Sequence, residues 1–126
     1  MQTVKTSFAP AAIGPYSQGT IVGNMLFSAG QIPLDPKTME IVKGGVEEQA
    51  KQVLKNLDAI LLEAGSSWGK VVKATVFMVD LSDFGIFNSV YEQHLLDAKP
   101  ARSTVQVAAL PKGALIEIEV VAEVDP

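Results

Sequence analysis

Arg102 follows Lys99-Pro100-Ala101 directly and opens a β-prone stretch that runs to Ala108. A guanidinium held at a strand end behind a proline turn can donate two parallel hydrogen bonds to a carboxylate, a task that suits its planar fork. The same position suits a structural salt bridge to a neighbouring Glu, and spacing alone favours that plainer use. Glu117 stands between Ile116 and Ile118. A carboxylate with apolar neighbours is a candidate for orienting or deprotonating a water, because partial burial raises its pKa. On an exposed strand face it is ordinary surface charge. Three further residues are candidates for lining a pocket. Tyr16 follows the turn Ile13-Gly14-Pro15, where it either lines a pocket or packs at the start of the first strand. Gly30, in Ser28-Ala29-Gly30-Gln31, either lets a ligand approach its backbone amide or is a plain turn glycine. Asn88 either offers its amide to a ligand or lies on a solvated helix face.

Other chemistries are excluded by composition. With no cysteine and a single histidine, His94, the chain has no disulfide framework, no thiolate nucleophile and no Cys-based or two-His metal motif. His94 has no Ser-His-Asp or Cys-His grouping and reads as a surface or helix-packing residue. The glycines form neither a phosphate-binding loop nor a dinucleotide fingerprint. No metal and no cofactor is therefore expected. A net charge of −4 and a pI near 4.9 argue against a nucleic-acid partner, which needs clustered Lys and Arg. No apolar run is long enough to cross a bilayer, and Met1 to Pro10 has neither the charge nor the apolar core of a signal or transit peptide. Cysteine-free composition fits a reducing compartment. The cytosol is the expected place of work, with an organelle such as the mitochondrion left open.

These residues need elements to carry them. Thr20–Val22 and Met25–Ala29 flank Gly23-Asn24 and read as a hairpin. From Gln31 to Gly45 the chain is loop and turn. Val46 to Ala64 reads as a helix, with Val46, Ala50, Val53, Leu54, Leu57, Ile60, Leu61 and Ala64 making one apolar stripe, Glu47 and Glu48 in the first turn, and Gly65 as the stop. Val71 to Val79 reads as a buried strand. A second helix is expected from an Asp83 N-cap to about Leu96, with Phe84, Phe87, Val90, Tyr91 and Leu95 inward. Two strands, Arg102–Ala108 and Leu115–Glu123, follow, joined across Pro111-Lys112-Gly113. Arg102, Thr104 and Gln106 share one strand face; Glu117, Glu119 and Glu123 share a face of the last strand.

The order β-β-α-β-α-β-β predicts an α+β fold in one domain over residues 1–126, with helices on one sheet face and a partly polar second face carrying the Arg, Thr, Gln and Glu residues. Hydrophobic residues make up 48% of the chain, charged residues 19%, and mean hydropathy is +0.25. For so small a domain this favours covering the second face with another copy over leaving it to water.

Taken together, the segments resemble the RidA/YjgF family of enamine/imine deaminases. The resemblance rests on Ala11-Ala12-Ile13-Gly14-Pro15-Tyr16-Ser17-Gln18, Leu26-Phe27-Ser28-Ala29-Gly30-Gln31-Ile32-Pro33 and Phe87-Asn88-Ser89-Val90-Tyr91. It is completed by Pro100-Ala101-Arg102-Ser103-Thr104-Val105, Ala109-Leu110-Pro111-Lys112-Gly113 and Ile116-Glu117-Ile118-Glu119. It implies a chorismate-mutase-like α+β fold, with two helices on one face of a mixed sheet, a homotrimer, and sites in clefts between subunits. It implies hydrolysis of 2-iminobutanoate and 2-iminopropanoate to 2-oxo acids and ammonia, which protects pyridoxal-phosphate enzymes from damage. By position, Arg102 would bind the substrate carboxylate, Glu117 would place or activate water, and Tyr16, Gly30, Asn88 and Thr104 would shape the pocket. Two departures stand out. Many bacterial members carry a serine directly before the glycine that aligns with Gly30, where this chain has Ala29 and places Ser28 one residue earlier, on the opposite side of a strand. Thr104 replaces a cysteine or small residue.

Imine hydrolysis needs only an oriented substrate and a held water. If the last two strands form a hairpin turning near Lys112, Arg102 lies opposite about Ala122, roughly 16 Å along the strand from Glu117 at about 3.3 Å per residue. The pair is then expected to meet across a subunit boundary. Three competing readings remain: a non-catalytic carboxylate-binding or regulatory protein using the same cleft, a ribonuclease, which the acidic pI opposes, and a chorismate mutase, which fold alone would suggest.

Overall fold

A computed structural model describes residues 1–125. Six strands form one sheet in the order β1-β2-β3-β6-β4-β5, comprising β1 (Gln2–Val4), β2 (Gly19–Val22), β3 (Met25–Ser28), β4 (Val71–Met78), β5 (Ala101–Gln106) and β6 (Ile116–Glu123). Two helices, α1 (Val46–Glu63) and α2 (Phe84–Leu95), pack on this mixed sheet. The β2–β3 hairpin turns at Gly23-Asn24, where Gly23 adopts a φ of +61° that a side chain would resist. The short strand β1, whose single buried residue is Val4, escapes the sequence reading because it is too brief to show alternation.

α1 forms where the apolar stripe predicts it, and the stripe is buried together with Gln49 and Asn56. At its start the Glu48 carboxylate accepts from the Gly45 N–H at 2.9 Å, which holds its pKa below the usual carboxylate range. Asn56 is fully buried and donates to the Leu34 carbonyl at 3.0 Å, tying the long loop to α1. His94 joins the helices: its Nε2 lies 2.8 Å from Asp58 Oδ1, which also accepts from Trp68 Nε1 at 2.6 Å. Asp83 precedes α2 without a side-chain capping bond. The capping carboxylate is Asp80 instead, which accepts from the Ser82 N–H at the preceding 3-10 turn. No helix among the described residues is long and apolar enough to cross a membrane.

The sheet corrects one expectation about topology. β5 and β6 do not pair; β4 lies between them, parallel to β5 and antiparallel to β6. Parallel neighbours need a crossover, and α2 supplies the one from β4 to β5. β3 and β4 also run parallel, joined through α1, and β6 returns into the gap between them. Two successive crossovers of the same hand, stepping the same way across the sheet, put both helices on the same side.

The register corrects a second expectation. Ala74 pairs with both Arg102 and Val120, so Arg102 and Thr104 share the helix-covered side with Ala74, Val76, Ile118 and Val120. Phe77 pairs with both Glu117 and Val105, which places Glu117 and Glu119 on the uncovered side beside Thr75, Phe27 and Val121. The Arg-Thr-Gln row and the Glu row, read from sequence as one polar face, are on opposite faces.

Candidate functional site

Glu117 points from the start of β6 onto the uncovered face, where it lines a cavity of about 580 Å³ with Tyr16, Ala29, Gly30, Gln31 and Lys112. Half-buried, its carboxyl is pushed above the ordinary range, first by burial and second by the charge of Glu119 two residues along the same face. The approach of Gly30 is tight. A Cβ at that position would stand 2.8 Å from both Cδ and Oε1 of Glu117, so only glycine lets the backbone come so near. What brings it there is a register slip. β3 pairs Phe27 with Val121, and the ladder resumes at Gln31 opposite Ile118. Four residues on one side thus face three on the other, which is a bulge. The Gln31 N–H donates to the Ile118 carbonyl at 2.8 Å and the Ile118 N–H returns to Gln31 at 3.1 Å, pinning Gly30 beside β6.

Ser28 fills the irregular step. Its buried hydroxyl accepts from the Val120 N–H at 2.9 Å on the helix side. It faces away from the Glu117 cavity, whereas Ala29 lines that cavity. Tyr16 is more than half exposed at the cavity's edge, and its N–H donates to Gly14 at 2.9 Å. The segment before it is anchored by Gln18, whose buried amide donates to the Pro10 carbonyl at 2.8 Å and accepts from the Thr6 N–H at 2.7 Å.

Arg102 lines a different cavity, of about 320 Å³, together with Asn88, Tyr91, Lys99 and Pro100. Its guanidinium lies over three rings of α2, at 4.8 Å from the Tyr91 centroid, 5.5 Å from Phe84 and 5.6 Å from Phe87. No carboxylate lies within ion-pair distance of it among the described residues. The structural salt bridge that the sequence offered is therefore absent among the described residues. Thr104 is half-buried two residues along the Arg102 row and lines neither cavity.

The chain therefore gathers Tyr16, Gly30 and Glu117 in one place and Asn88 and Arg102 in another. Two strand spacings across and three residues along separate Arg102 from Glu117, about 14 Å between backbones from strand geometry alone, with the sheet between their side chains. The sequence reading did not anticipate Lys112 or Met39. Both line the Glu117 cavity and both hold positive φ values, 58° and 59°, where non-glycine residues are uncommon. Tyr91 was expected only as an inward-facing residue of α2.

A family model described as Endoribonuclease L-PSP matches residues 6–124. A RutC family protein of Pyrococcus abyssi is 53% identical over 121 residues, 96% of this chain and 95% of its own. A human protein named 2-iminobutanoate/2-iminopropanoate deaminase is 49% identical over 121 residues, 96% of this chain and 88% of its own. Among solved structures, E. coli TdcF with bound serine superposes with a TM-score of 0.94 at 45% identity, covering 99% of this chain and 100% of that one.

Proposed function

This chain belongs to the Endoribonuclease L-PSP family, which includes the RutC and YjgF proteins, and from that premise we propose that it hydrolyses 2-imino acids and their enamine tautomers to 2-oxo acids and ammonia. 2-Iminobutanoate and 2-iminopropanoate are the substrates taken from the name of the human relative. The observation that carries the reading is Arg102: a half-buried guanidinium with no carboxylate within ion-pair distance among the described residues, facing a cavity that a small acid fits and that Glu92 also lines. Serine, the ligand in the TdcF structure, also carries a carboxylate on the carbon that bears nitrogen.

In this reading Arg102 grips the substrate carboxylate and Asn88 flanks it. Glu117 accepts a proton from a water while the water oxygen bonds to the imine carbon. The electron pair of the C=N bond moves onto nitrogen, giving a tetrahedral carbinolamine. Glu117 then returns the proton to nitrogen, the C–N bond breaks to release ammonia, and the hydroxyl oxygen becomes the new carbonyl as its proton passes through the Glu117 carboxylate to the ammonia. The sum is iminium acid plus water to 2-oxo acid plus ammonium. Glu117's raised pKa suits a group that takes and returns a proton. Tyr16 and Gly30 shape the Glu117 side of the cleft, and Thr104, which lines neither cavity of the single chain, would join it only where copies meet.

Because Arg102 and Glu117 are on opposite faces of one sheet, the complete site is proposed to form between copies, Arg102 from one and Glu117 from its neighbour. The uncovered face, with Phe27 and Val105 exposed, is the surface that a copy would cover. A homotrimer of the single 1–126 domain is the proposed assembly, working in the cytosol, and its solution mass should be three times the 13.4 kDa of the chain. The test is Arg102→Ala beside the parent in a threonine dehydratase-coupled assay with semicarbazide trapping of free imine. The variant should fold, assemble and clear no imine above background. Parental rates in the variant would end the proposal. RNA cleavage, named in the family's description, has no support from a net charge of −4.

A further inference from the structure

Phe84, Phe87 and Tyr91 lie at positions i, i+3 and i+7 of α2, so they form one stripe down a helix face. That stripe meets the start of β5, where the Arg102 guanidinium sits within about 6 Å of all three centroids, the range in which a ring's electron-rich face attracts a cation. The rings also contact one another, Phe87 and Tyr91 at 5.4 Å and Phe84 and Phe87 at 6.5 Å. The Tyr91 hydroxyl oxygen is fully enclosed and is the buried side-chain atom left without a hydrogen-bond partner among the described residues. Arg102 lies alongside it short of hydrogen-bond geometry. Burial pushes the phenol's pKa up, while the Arg102 charge and the nearness of its N–H donors to the hydroxyl pull the other way. Tyr91 thus presents its ring face to the guanidinium at 4.8 Å, with its hydroxyl beside the same cation.

From this geometry we propose that Phe84, Phe87 and Tyr91 form an aromatic seat that positions Arg102 for carboxylate binding, with Tyr91 as its principal positioning residue. The physical advantage lies in what the seat does not do. A Glu or Asp partner would orient Arg102 equally well, but it would occupy the same N–H donors that a substrate carboxylate needs, and substrate would have to displace it. A ring face attracts the cation from above and leaves the in-plane donors free. α2 also carries Asn88, next to Phe87, so one helix delivers both the seat and a flanking amide to the same cavity. The part proposed here for Tyr91, which also lines that cavity, is exerted through Arg102.

The inference rests on the proposed deaminase reading, and its test separates the two. Wild type, Arg102→Ala, Tyr91→Phe, Tyr91→Leu and Phe84→Leu are compared in the coupled imine assay. A further protein carries pentafluorophenylalanine at position 91, which keeps the ring's shape and reverses the charge of its face. The seat predicts that Tyr91→Phe keeps KM within about twofold of wild type. Tyr91→Leu and the fluorinated protein should raise KM about 3- to 10-fold with kcat within about twofold, the signature of weakened binding rather than weakened chemistry. Phe84→Leu, at a half-open position that tolerates change, should raise KM less. A role in packing alone would leave the fluorinated protein at the parental KM, and that result overturns the seat. Unchanged rates in Arg102→Ala would overturn the deaminase reading itself.

Discussion

Gly30→Ala offers a stringent test of how the Glu117 cavity works. The added Cβ would meet Cδ and Oε1 of Glu117 at 2.8 Å and Cγ at 3.1 Å. Ordinary contact begins about 0.6 Å further out, so the carboxylate must retreat by roughly that amount or rotate away. The backbone at Gly30 does not lie in the left-handed region, so alanine strains nothing in the main chain itself. The obstructing atoms are the far end of a flexible side chain, which swings aside at little cost. Stability should therefore fall by less than about 1 kcal/mol. Function should suffer far more, because a base displaced by around 1 Å from its water loses on the order of 100-fold in rate. The carboxylate clamp, Arg102 of the neighbouring copy in the proposed site, is not itself displaced, so kcat should drop while KM holds. The coupled imine assay reads both, and thermal unfolding reads stability. A double-mutant cycle isolates the cause: in a Glu117→Gln background, Gly30→Ala should add almost nothing, since the group it displaces no longer acts. Full activity in Gly30→Ala, or independent multiplication of the two losses, would refute the claim that glycine is required here to admit Glu117.

Other outcomes follow from the same geometry. The acid limb of the kcat/KM profile should report Glu117 at a pH above that of an ordinary carboxylate, and Glu117→Gln should abolish that limb together with most activity. The same raised pKa means that the ionised form destabilises the fold. Glu117→Gln should melt slightly higher at pH 7, by about 1 °C, and the gain should vanish as pH falls through the carboxylate's folded and unfolded pKa values. Ser28→Ala strips the buried Val120 N–H of its acceptor and should cost about 1–3 kcal/mol in denaturant unfolding with kcat/KM nearly unchanged, whereas a matching loss of activity would show that Ser28 works in the site. Val105→Asp puts a charge on the uncovered face and should reduce the mass seen by sedimentation towards that of the single chain; an unchanged assembly would place the copy contact elsewhere.

Much of this protein follows from local pattern. The α1 stripe could pack in only one way, because residues spaced three and four apart lie on one side of a helix, and the buried set matches it from Val46 to Leu61. Period-two spacing puts Ile116, Ile118, Val120 and Ala122 on the face opposite Glu117 and Glu119 whatever the partner strand, and all four are buried. The opposite placement of Ser28 and Ala29 was legible for the same reason. Strand pairing was not. That β6 would enter between β3 and β4 depends on two parallel crossovers competing for places in one sheet, and no residue of β6 records which neighbours it will have. From that insertion came the larger correction: Arg102 and Glu117, each correctly placed on a strand, face opposite sides, since alternation within a strand says nothing about how two strands are phased against each other. The nearness of Gly30 to Glu117 and the rings beneath Arg102 are likewise products of register and packing between segments distant in the chain. Local chemistry decided which residues could act, and the long-range register decided which of them could meet.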